Sequence, residues 1–119
     1  MRVLVVGINP ANPAHRSKNG TINRLARWMD VVGLKNWSFV NCVASPGPYS
    51  MRDVEHDYVS ACARGYDKVI ALGNFPSAVL ARSGIQHFCM PHPSGLNRKL
   101  NDAGYEAEQL HLCKEYVHG

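Results

Sequence analysis

Two short segments at opposite ends of the chain carry the residues best suited to chemistry. Gly7-Ile8-Asn9-Pro10 follows the first apolar run, and His92-Pro93-Ser94-Gly95-Leu96-Asn97-Arg98 follows the last. The carbonyl oxygen of an amide such as Asn9 can hold a water molecule, although the amide cannot take up a proton at neutral pH. The competing account is that Asn9 closes an Asx-type turn before Pro10. An imidazole such as His92 can donate a hydrogen bond to an oxygen on which negative charge builds during a reaction. A loop histidine that is simply exposed is the alternative. Loops that leave the carboxyl ends of parallel strands open onto one edge, so the two segments are expected to face each other across a single cleft.

That placement needs strands ending just before each segment. Val3 to Val6 is a β-branched and Leu run ending at Gly7, which reads as a central strand covered on both faces. Ile8 to Gly20, with two prolines, is a loop. Thr21 is expected to cap a helix in which Ile22, Leu25, Trp28, Met29 and Val32 recur at helical spacing until Gly33 stops it. Trp37 to Val43 reads as the second strand. Ser50 with Asp53 resembles a capping box and predicts a helix carrying Val54, Tyr58, Ala61 and Cys62 toward the core. Val69 to Leu72 is the third strand, Asn74 and Pro76 open a short helix to Gly84, and Ile85 to Met90 is the fourth strand. A last helix from near Asn101 or Asp102 presents Ala107, Leu110, Cys113 and Val117. Alternation of this kind predicts one α/β domain over residues 1–119, with a four-stranded parallel sheet and right-handed crossovers.

The pairing of the two motifs resembles the active site of the uracil-DNA glycosylase superfamily. The first motif is closest to the mismatch-specific uracil/thymine branch, and the second is similar to the branches with His-Pro-Ser. The resemblance covers Arg2 to Val117, and it implies a three-layer fold with strand order 2-1-3-4 in a minimal version without the N-terminal helices of typical members, whose contribution is either absent or supplied by a protein partner. It implies hydrolysis of the N-glycosidic bond of uracil or a related or modified pyrimidine after base flipping, without a cofactor. Asn9 would place the water and His92 would stabilise the departing base, with Gly7, Ile8, Pro10 and Asn41 around the base. Asn41, at the end of Val40-Asn41-Cys42-Val43, can both donate to and accept from a pyrimidine edge; a buried, satisfied amide is its alternative.

The resemblance further implies single- or double-stranded DNA as partner, held by Ser94, Gly95, Leu96, Asn97, Arg98 and Lys99. Leu96 would be the apolar wedge that fills the gap left by a flipped base, or else packs beneath the last helix. Asn97 would read the widowed base, and Arg98 would meet phosphate. Arg16, Lys18, Arg24 and Arg27 are candidates for the backbone path. One departure stands out: the first loop contains no aromatic residue to stack on a base, leaving His15, Tyr49 or Phe75 as substitutes. Two other functions fit the same pocket: a glycosylase-like module that binds DNA or a modified base without cutting it, and an enzyme acting on a modified nucleotide.

Composition narrows the rest. A chain of 119 residues with 45% hydrophobic and 18% charged residues has room for one core. Its net charge of +4 is a mild bias toward polyanions. No secretion signal and no run of about 20 apolar residues is visible, so a cytoplasmic protein, or a nuclear or organellar one by an unseen route, is expected, with no membrane association. Cys42, Cys62, Cys89 and Cys113 are expected to be free and mostly buried, and no Cys-x-x-Cys offers cluster ligands. His87, Cys89 and His92 match no standard zinc spacing, so no metal is expected. Neither a dinucleotide fingerprint, a phosphate loop nor a nucleophile elbow is present.

Overall fold

The computed structural model describes residues 1–10, 20–94 and 97–119. Four strands, β1 (Val3–Gly7), β2 (Trp37–Asn41), β3 (Lys68–Leu72) and β4 (Phe88–Met90), form one parallel sheet in the order β2-β1-β3-β4. The helices are α1 (Gly20–Val32), α2 (His56–Arg64), α3 (Asn74–Arg82) and α4 (Ala103–His118). The expected α/β class, strand number and strand order are those observed.

Every residue of β1 is buried because both faces of the sheet are covered. Val3 and Val5 face α1 and α4 in a cluster with Met29, Val32, Ile70 and Cys113, while Leu4 and Val6 face Val59, Ala63, Val79 and Leu80 of α2 and α3. The register aligns Val5 with Phe39 and Ile70, and Ile70 with Phe88, so one row of side chains runs across all four strands on the α1/α4 face. The two helices of that face are tied at their ends. Gly33 takes φ +87°, its N–H meets the carbonyl of Asp30 and the N–H of Leu34 meets that of Met29, a Schellman stop. Nε2 of His118 then lies 2.7 Å from the carbonyl of Val32, joining the end of α4 to the end of α1.

Several local expectations need correction. The Ser50–Asp53 box forms, with the Asp53 carboxylate accepting from the backbone N–H (2.8 Å) and hydroxyl (3.1 Å) of Ser50, but it opens only a 3₁₀ turn at Met51–Asp53. The helix proper starts at His56, which resets its phase: Val59, Ser60 and Ala63 face inward, whereas Ala61 is exposed and Tyr58 is 57% exposed. Thr21 lies inside α1 rather than capping it, Ile22 and Ala107 are exposed, and β4 is three residues long, starting only after His87. The N-cap of α4 is Asp102, whose Oδ1 accepts from the N–H groups of Gly104 and Tyr105. All four thiols are free, but only Cys42 and Cys113 are buried, with Cys62 half-buried and Cys89 exposed. Among the described residues no helix is long and apolar enough to cross a membrane.

Candidate active site at the carboxyl edge of the sheet

Sheet register brings the site together. Gly7 ends β1 opposite Asn41, the end of β2, and Leu72 ends β3 opposite Met90, the end of β4. His92 follows two residues later. Gly7, Asn41, Leu72 and His92 line one cavity of about 550 Å³, which Ile8, Asn9 and Pro10 of the first loop also line. The early asparagine turn and the late histidine turn therefore border the same space.

Asn9 reaches across to the loop that follows β2. Its Nδ2 donates to the carbonyls of Ser45 (3.1 Å) and Gly47 (2.8 Å), across the loop that follows β2. Two carbonyl oxygens can be met only by the amide NH₂, so the orientation of the group is fixed and Oδ1 is directed away from that loop. Among the described residues Oδ1 has no hydrogen-bond partner, and it is an acceptor on a cavity-lining residue. The backbone supports this bridge: the N–H groups of Cys42 and Val43 donate to the carbonyls of Gly7 and Ile8, which zips the two strand-end loops together beyond the sheet.

His92 is half-buried, and its Nδ1 accepts from the backbone N–H of Ser94 at 3.2 Å. An Nδ1 that accepts is unprotonated, so the neutral ring carries its proton on Nε2. Burial holds the imidazole below its ordinary pKa of 6.5, which favours this neutral state. Gly73 makes room for the ring's backbone: it adopts φ +99°, and a β-carbon there would meet Cβ of His92 at 3.3 Å. Asn97 braces the same loop. Its Nδ2 donates to the carbonyl of His92 (3.1 Å) and its Oδ1 accepts from the N–H of Lys99 (3.2 Å), so both ends of the amide are engaged within the loop rather than presented outward.

Among the described residues no carboxylate lines the cavity, and its polar side chains are those of Asn9, Asn41, Thr21 and His92. Nothing in that set is an efficient proton acceptor at neutral pH other than His92, whose Nδ1 is already engaged. The arrangement can hold water, donate to an oxygen and read an amide-bearing ring; it does not offer a general base of the carboxylate type.

The other candidates fall in different places. Ser94 is half-buried at the rim, and Arg98 and Lys99 are exposed on the short 3₁₀ turn at Arg98–Asn101. Arg24 pairs with Glu106 at 3.8 Å, and Glu106 also accepts from the indole of Trp28, so Arg24 links α1 to α4. Gly95, Leu96, Arg16, Lys18 and His15 lie outside the described residues. Tyr49 and Phe75 pack edge to face with each other at 4.7 Å and do not line the cavity. Among the described residues no group of three or more His, Cys, Asp or Glu is placed to hold a metal ion. His87 instead sits between Oγ of Ser77 (2.7 Å) and the carbonyl of Ile85 (2.8 Å), a clasp between α3 and the segment leading into β4.

An aromatic side chain reaches the cavity from β2. Phe39 is 46% exposed, lines the cavity, and lies so close over Gly7 that a β-carbon there would come within 2.6 Å of its Cζ. Trp37, Phe39 and Asn41 alternate on one face of the strand. That period-two signal, an aromatic two residues before the strand-end Asn, is present in the sequence and identifies the wall once β2 is known to flank β1. No protein-family model matches this chain, and no curated protein matches it.

Proposed function

We propose that the chain is a cofactor-free DNA glycosylase that hydrolyses the N-glycosidic bond of uracil or a related pyrimidine. The observation that carries the reading is the convergence of Asn9, Asn41 and His92 on one cavity, with the amide of Asn9 turned so that its nitrogen meets the second loop and its oxygen is directed away from it, and with Nδ1 of His92 accepting from Ser94. In this reading Oδ1 of Asn9 accepts from a water aimed at C1′ of the sugar. The C1′–N1 bond breaks with its electron pair passing to the base, Nε2–H of His92 donates to O2 as charge collects there, and the water proton is released to solvent. Asn41 pairs with the N3 and O4 edge, and Phe39 offers a ring face against which a flipped base can stack. The lack of a carboxylate in the described lining implies a slow catalyst that depends on positioning.

Duplex and single-stranded oligonucleotides carrying uracil, mismatched thymine or hydroxymethyluracil test this directly. Alkali-labile sites at one of these bases are expected. Salt-sensitive binding with no cleavage of any of them identifies a binding module instead.

A further inference from the structure

The amide and imidazole groups of the cavity stand at one end of it. Asn9, Asn41 and His92 stand at the carboxyl edge, while the walls running back from it are Ile22 and Leu25 of α1 and Trp37 and Phe39 of β2. Because Trp37, Phe39 and Asn41 are alternate residues of one strand, that wall extends about 13 Å at about 3.3 Å per residue. A pyrimidine held at Asn41 covers the first part of this length. Two of the wall residues are large apolar side chains left in contact with solvent, Ile22 at 59% and Phe39 at 46% exposure, beside a Leu25 that is 4% exposed. Apolar surface left wet on a concave wall is surface that an apolar ligand group removes from water.

We infer that the cavity takes a pyrimidine bearing an extended apolar or aromatic substituent at carbon 5, with the ring at Asn41 and the substituent lying along Phe39 toward Trp37. The inference rests on the glycosylase reading for the pose of the ring. With O2 at His92 and the N3 and O4 edge at Asn41, carbon 5 is the ring atom opposite carbon 2, next beyond O4, and clear of the sugar. A group attached there leads away from His92, on the side of the ring toward β2. Groups of ordinary size, a hydrogen or a methyl, leave the Trp37 end of the wall uncovered.

The test uses 2′-deoxyuridine, 5-(1-propynyl)-2′-deoxyuridine and 5-phenyl-2′-deoxyuridine, first as free nucleosides titrated by calorimetry and tryptophan fluorescence, then within duplex oligonucleotides for excision. The 5-phenyl nucleoside is expected to bind at least tenfold more tightly than deoxyuridine and to quench fluorescence, and Trp37→Phe is expected to remove most of that quench. Ile22→Asn, a change at an exposed position of α1, is expected to lower the phenyl preference several-fold. Equal or weaker binding of the larger nucleosides overturns the inference, as does a concentration-dependent dimer that blocks them. Excision of uracil without any phenyl preference leaves the glycosylase reading standing and removes this one. Tight phenyl binding with no excision of any base does the reverse.

Discussion

A β-carbon built on Gly7 would lie 2.6 Å from Cζ of Phe39 and 2.9 Å from Oδ1 of Asn41. The end of the central strand is thus shaped by two side chains of its neighbour, one a ring and one an amide, that lean over a residue with nothing of its own to offer. Both neighbours line the cavity. The bare backbone of Gly7 forms part of the floor on which they converge.

Gly7→Ala is therefore expected to injure the site more than the fold. The Phe39 ring is half exposed and can swing aside, so the stability loss should be about 1 kcal/mol, at the low end for overpacking. Excision should fall more than tenfold, because the ring and the Asn41 amide are displaced together. Urea midpoints beside single-turnover rates measure the two separately, and a large loss of stability with unaltered turnover in the surviving folded protein would refute the assignment.

Asn9→Ala and Asn9→Asp should part company. Alanine removes the oxygen proposed to hold water and both donors to the Ser45 and Gly47 carbonyls, so a rate loss of about 100-fold is expected from lost positioning. Aspartate restores an acceptor toward the cavity but sets a carboxylate oxygen against those two carbonyls. Its expected signature is a drop in stability of about 1–3 kcal/mol, measured by thermal melting, together with a rate above that of the alanine variant.

The pH dependence follows from His92. Burial lowers its pKa in the folded protein, so the unfolded chain binds that proton more readily. Its contribution to stability is complete above pH 6.5 and is lost as the pH falls below 6.5 through the lowered folded value. Protonation also sets an Nδ1–H against the Ser94 N–H and breaks the contact that orients the ring. The acid limb of kcat/KM should accordingly lie below pH 6.5, and the stability difference between the wild type and His92→Gln should shrink on acidification. An acid limb above 6.5 would contradict the assignment.

Thiol chemistry offers a check on the packing. Burial pushes Cys42 up to about 11 and Cys113 to about 12, so their thiolates are scarce at neutral pH. Cys89 is exposed. Alkylation of the native protein at pH 8, mapped by mass spectrometry, should label Cys89 rapidly and spare Cys42 and Cys113 until denaturant is added.

The clasp between Ser77 and His87 should matter for stability alone. Ser77→Ala removes a 2.7 Å hydrogen bond between α3 and the segment leading into β4 and is expected to cost about 1 kcal/mol in urea unfolding. Excision should be unaffected, since neither residue lines the cavity.

The fold was legible because burial on two faces leaves a plain mark: Val3 to Val6 and Val69 to Leu72 are unbroken apolar runs, and each stops at a glycine. The order of the strands came from a resemblance between motifs, and the structure has that order. Less legible was the phase of α2, because the 3₁₀ turn at Met51–Asp53 satisfies the capping signal before the α-helix begins. In the site, Asn9, Asn41 and His92 were visible as residues, and the cavity they share depends on sheet register that no local pattern encodes. Phe39 was not legible as a site residue because it lies within a strand rather than a loop, and only the pairing of β2 with β1 brings it beside Gly7.

The row Asn41, Gly7, Leu72 and His92 draws one residue from each of the strands or the loop just after it. No contiguous peptide contains more than a fragment of the pocket, so it comes into being only when the whole sheet has closed. Occupancy and folding are for that reason linked: a ligand that fills the hollow of the native domain raises the melting temperature of the whole.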